Sequence, residues 1–113
     1  MSNDKRYNGW TNYETWNVNL WLTNEEGSDS LCREWAQECY DDAEASDGST
    51  REETASLVLA DRIDSLIRDE WYPQELTGLY KDLLGAALSE VNWYEIAEHF
   101  VEDVDKATAE DAV

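Results

Sequence analysis

An all-α fold, a single compact domain of about five helices, is predicted for this 113-residue chain by three features. Threonine or asparagine stands three residues ahead of glutamate at Thr11/Glu14, Thr50/Glu53 and Asn92/Glu95, the spacing of reciprocal capping at a helix start. Apolar residues after each of these pairs recur three and four apart, the period of one helical face. No stretch alternates polar and apolar for long enough to make a strand. The composition agrees: 42% of residues are hydrophobic, with six Trp and six Tyr, and a chain so rich in aromatics can bury a core without disulfide staples.

The first helix is expected to start at Thr11, with Tyr13, Trp16 and Leu20 on one buried face, Trp21 at its edge and Val18 off it; Thr23, Asn24 and Gly27 mark the exit. A second helix is expected from about Asp29 to Ala45, capped by Ser28 or Ser30, with Cys32, Trp35, Ala36, Cys39, Tyr40 and Ala43 on one stripe. The run SDGST, from Ser46 to Thr50, is a loop by composition. A third helix, opened by Thr50 and Glu53, carries Leu59, Ile63, Leu66 and Ile67 and ends near Trp71, because Pro73 disfavours helical geometry at Tyr72. Leu76, Leu79, Tyr80, Leu83, Leu84, Ala87 and Leu88 make the clearest core helix. Trp93, Ile96, Ala97, Phe100, Val101 and Val104 form the last amphipathic stripe. Residues 1–9 read as a flexible N-terminus, 10–104 as the helical domain and 105–113 as a flexible acidic tail.

Charge narrows the function classes. With 27 acidic against 8 basic residues the net charge is -19, so nucleic acid and anionic membranes are poor direct partners. No apolar run approaches the roughly 20 residues of a membrane span, and MSNDKRYNG lacks the apolar centre of a signal peptide, so a soluble, cytoplasmic protein is expected. Cys32 and Cys39, about 10 Å apart along one helix, are too distant for a mutual disulfide and read as buried free thiols. His99 with Glu95 four residues before it could orient a general base, but no nucleophile, metal spacing, phosphate loop or nucleophile elbow accompanies it. A non-enzymatic protein without metal or cofactor is the expectation.

Two features remain as binding candidates. Glu34, Glu38, Asp41 and Asp42, with Glu44 beyond them, repeat about every helical turn, so their carboxylates stand roughly 5–6 Å apart and could enter a groove built for phosphates. Nineteen net charges over a domain about 34 Å across give about 1.8 Å per charge, close to the roughly 1.7 Å of duplex DNA. The acids are densest between Glu25 and Glu53, where Arg33 and Arg51 alone oppose them. Adaptation to concentrated salt accounts for the same acidity, and it places carboxylates on every exposed face. The second candidate is the aromatic region from Trp10 to Trp21, since aromatics are the usual anchors of protein interfaces. Either way the partner is a protein, and a basic one if the acids meet it.

The segments GWTNYETWNVNLWL and VNWYEIAEHF resemble the small "NYETW" proteins of phages, plasmids and some archaeal genomes. The resemblance covers Gly9 to about Glu26 and Val91 to Val101. It implies the same fold and a mobile-element setting, and it carries no activity. Small acidic proteins of mobile elements sometimes resemble nucleic acid to block restriction or CRISPR-type nucleases, an analogy of setting and not of matched residues.

Overall fold

In the computed structural model, which describes residues 7–46 and 48–111 (105 and 107–111 by backbone only), the chain enters through a tight turn. Tyr7 and Trp10 exchange backbone hydrogen bonds of 3.0 and 2.7 Å, and Asn8 and Gly9 take φ of 49° and 88°, the pair of positive values that an Asn-Gly turn supplies. The expected flexible N-terminus therefore gives way to structure at Tyr7; residues 1–6 lie outside the described residues.

α1 spans Tyr13–Asn24 and is capped by Asn12, whose side chain accepts from Thr15 N–H at 2.9 Å. The cap is not Thr11, as its spacing from Glu14 predicts: Asn12 takes the capping bond, and the Thr11 N–H that Glu14 would serve in a capping box donates to Glu95 instead. α2 spans Glu26–Asp42 and follows almost without a break. Neither serine caps it as expected. The buried Ser28 hydroxyl instead donates to the Leu22 carbonyl at 2.7 Å, so it serves the unpaired C-terminal end of α1. α3, Arg51–Ser65, starts with the reciprocal Thr50/Glu53 capping box that its sequence predicts. It runs into a π-helical turn, Leu66–Glu70, closed by Trp71 N–H donating to Leu66 O. α4 spans Gly78–Ser89, and α5 spans Trp93–Asp111, past the expected end at Val104. Among the described residues there is no strand.

α3 and α5 pack together at the centre, α2 lies on both, and α1 closes the assembly against α2 and α5. Leu22, Cys32, Ala36, Leu59, Ile63, Ile96, Ala97, Phe100 and Val101 form the middle of the core. The stripes predicted for α2, α3 and α5 are the ones buried.

Two expectations about which face is buried also fail. On α1 the fully buried residues are Thr15 and Leu22, while Trp16 and Leu20 are half-buried and Val18 packs on the core. α1 is thus rotated toward Thr15 and Val18, because the Thr15 hydroxyl is held against the start of α5. Trp16 packs instead against the Tyr7 and Tyr13 rings, with centroids 5.0 and 5.7 Å away. On α4, the expected core helix, Leu88 is buried as expected, but Leu79, Tyr80 and Leu83 are 66%, 69% and 57% exposed, and no residue of α4 belongs to the main core cluster. The helix stands off the packing that joins α2, α3 and α5.

Candidate functional site

The two segments with the most distinctive sequence, around Asn12 and Asn92, meet. Each asparagine caps its own helix: Asn12 Oδ1 accepts from Thr15 N–H, and Asn92 Oδ1 accepts from Glu95 N–H at 3.0 Å. The third residue of each helix then crosses to the other. Thr15 Oγ accepts from Asn92 N–H at 2.9 Å, and the buried Glu95 carboxylate accepts from Thr11 N–H at 3.1 Å. The Asn12 side-chain amide adds a bond of 2.8 Å to Glu90 O. In a capping box the third residue serves its own helix; here the service is exchanged, which joins chain segments about eighty residues apart. Glu95 is therefore occupied at a junction of two helix N-termini, where their dipoles favour a carboxylate. His99 is exposed, and its ring stacks on Trp10 with centroids 4.3 Å apart. These motif residues carry architecture.

The acidic candidates Glu34, Glu38, Asp41, Asp42 and Glu44 are all exposed, the first four along α2 and Glu44 just past its end. Two of the four on α2 are engaged: Arg62 reaches Glu38 at 3.0 Å, and Gln37 donates to Asp41 at 2.9 Å. Carboxylates stand on the other helices as well, with Glu53, Asp61, Asp69, Asp82, Glu102 and Asp103 exposed. The arginines among the described residues are turned to the protein itself. Arg33 binds Asp29 and Asp103, Arg62 binds Glu38, Arg68 binds Asp64, and Arg51 donates to Tyr40 O with its guanidinium 4.1 Å from the Tyr40 ring centre. Such exposed pairs add little stability; their consequence is an outward surface of carboxylates with few cations among them.

The aromatic candidates separate. Trp10 is half-buried against the core and His99, whereas Trp21 is 58% exposed. Trp21 stands beside Trp71, 43% exposed, which sequence spacing marks only as a helix end. Together with Asn17, Val18 and Ile67 they line a cavity of about 240 Å³ between α1 and the π-helical turn. A second cavity, of about 360 Å³, shares both tryptophans and adds Glu25 and Ser28. Ile67 and Trp71 are four residues apart, so the turn that carries them presents both to α1. The first cavity is smaller than the usual 300–1,000 Å³ of small-molecule sites and suits one large apolar side chain.

The remaining reactive groups are quiet. Burial pushes the Cys32 thiol up to about 11 and raises that of Cys39, and both are free and buried, so neither is a nucleophile near neutral pH. Among the described residues no group of His, Cys, Asp and Glu could hold a metal ion, and no helix is long and apolar enough to cross a membrane.

The chain belongs to a family of unknown function, DUF7249, whose model matches residues 3–111. No curated protein and no solved structure matches it.

Proposed function

We propose that this chain is a non-enzymatic binding protein that holds a basic protein partner by seating an apolar side chain between Trp21 and Trp71. The observation that carries the reading is the pair itself: two largely exposed tryptophans from different elements flank one cavity on a chain of net charge -19. Monomeric soluble proteins rarely expose large aromatics together without use. The apolar slot supplies the anchor, and Glu25, which lines the adjoining cavity, together with the chain's acidic balance steers and selects a positively charged surface. A mobile-element setting, implied by the resemblance of the Asn12 and Asn92 segments, and the cytoplasmic residence expected from the polar sequence fit a host protein as that partner.

The exposed Glu34, Asp42 and Glu44 along and just beyond α2 support a second reading, in which these carboxylates occupy a nucleic-acid-binding groove in place of DNA. One experiment separates the two. Lysate is passed over three immobilised baits at about 0.1 and 1 M salt, which shortens the screening length from about 10 to 3 Å. The baits are the wild type, Trp21→Ala/Trp71→Ala, and Glu34→Gln/Glu38→Gln/Asp41→Asn/Asp42→Asn. Anchoring in the slot predicts that a basic protein is retained by the wild type and by the α2 variant and is lost from the tryptophan variant. Loss from the α2 variant alone assigns the binding to the acidic ladder, and identical retention by all three refutes both readings.

A further inference from the structure

A cavity of about 240 Å³ between the start of α3 and the first half of α5 is walled by carboxylates. Glu52 and Glu53 line it from α3 and Glu98 and Glu102 from α5, with no arginine, lysine or histidine in its wall. Tyr94, Glu98 and Glu102 are four apart and share one row of α5. The same wall includes Ser56, which is 1% exposed. Among the described residues, its Oγ is the one buried side-chain nitrogen or oxygen without a hydrogen-bond partner in the protein. A helical serine commonly returns its hydroxyl to a carbonyl three or four residues back, and a buried hydroxyl without a partner is destabilising. The Tyr94 hydroxyl is close enough for the serine to lower its pKa as a donor, but the two do not close a hydrogen bond of standard geometry. Glu98 and Glu53 face the same phenol and raise its pKa, after burial itself.

We infer that this cavity binds a primary alkylammonium group, the group that ends a lysine side chain, with Ser56 Oγ and Tyr94 Oη accepting its N–H donors and the surrounding glutamates matching its charge. Four carboxylates call for a cation, and they do not converge closely enough to hold a metal ion. Two neighbouring hydroxyls that leave each other unsatisfied suit a group with several donors, and an ammonium has three. Val101 adds an apolar wall, against which a methylene chain can lie. The N-terminus of α3 opposes a cation with about half a charge, which four full carboxylates outweigh. The site lies apart from the slot between Trp21 and Trp71 and does not depend on it.

The test is an NMR titration of the isotopically labelled full chain with n-butylammonium from about 0.1 to 50 mM, which spans a millimolar Kd, at a constant ionic strength of about 0.15 M. Shifts should saturate and centre on residues 52–56 and 94–102. Tetramethylammonium has the same charge and no N–H, and it should bind about tenfold more weakly, the loss of one hydrogen bond to a charged group. Ser56→Ala should keep or raise the Tm, because the hydroxyl it removes has no partner, and should weaken butylammonium binding by about the same factor. Glu98→Gln/Glu102→Gln tests the site without touching Ser56. It should weaken binding by about tenfold or more, whereas Glu34→Gln/Asp42→Asn removes the same charge from α2 and should change it by less than about twofold at this screening. Equal binding of the two cations, shifts spread evenly over α2 and α5, or equal loss in the two charge variants overturns the inference. A Ser56→Ala that is less stable than the wild type, or that binds butylammonium as well, also overturns it.

Discussion

Thr15 is the residue on which the junction of α1 and α5 turns, and Thr15→Val tests it with almost no change of shape. The side chain is fully buried. Its hydroxyl donates to Asn12 Oδ1 at 2.6 Å and accepts from Asn92 N–H at 2.9 Å. Valine fills the same volume and makes neither bond. Losing the first should cost about 1 kcal/mol, the net value of a typical hydrogen bond, and leaving the Asn92 N–H without an acceptor at a part-buried site should add about 1–2 kcal/mol. A total of about 2–3 kcal/mol corresponds to a fall of about 10 °C in Tm for a domain of this size. Urea and thermal unfolding followed by circular dichroism measure both quantities. Thr23→Val is the control, since that hydroxyl only returns to Asn19 O and Leu20 O within its own helix and its loss should stay within about 0.5 kcal/mol. If Thr15→Val were as mild as Thr23→Val, the crossed capping would be incidental and the rotation of α1 would need another cause.

Three further outcomes are expected. Leu22→Ala, at a residue with no exposure, should cost about 2–5 kcal/mol, and Trp16→Ala less than the 3–5 kcal/mol of a fully buried aromatic; the reverse order in urea unfolding would restore the face that the aromatic spacing of α1 predicts. Stability should hold up to pH 9 and fall toward 11, because in that window unfolded thiols ionise at their ordinary 9.0 while folded Cys32 keeps its proton to about 11. Tyr94, raised by burial and by Glu98 and Glu53, acts in the same direction, and a urea midpoint that does not move between pH 9 and 11 contradicts the assignment. Thermal melts from about 0.1 to 1 M salt should rise as the screening length shortens from about 10 to 3 Å, with the domain folded throughout; unfolding near 0.1 M would mark the acidity as adaptation to concentrated salt.

Local rules determined much of this protein from sequence alone. The apolar stripes of α2, α3 and α5, the Thr50/Glu53 capping box, the stop ahead of Pro73 and the separation of Cys32 from Cys39 depend only on neighbours within a turn or two, and periodicity and capping chemistry report those directly. The Asn8-Gly9 turn was equally local, although its signal is only two residues long and sits in a polar lead. Tertiary structure alone decided the rest. Spacing shows that Leu79, Tyr80 and Leu83 share a face but not what lies opposite it, and an apolar stripe is the same in sequence whether it meets a core, a second copy or water. The exchange between Thr15 and Asn92 and between Glu95 and Thr11 required the two ends of the chain to meet, and it rotated α1 away from the orientation its tryptophans suggest. The pairing of Trp21 with Trp71 has the same origin: one comes from α1, the other from the end of a π-helical turn, and only the packing of those elements makes a slot between them.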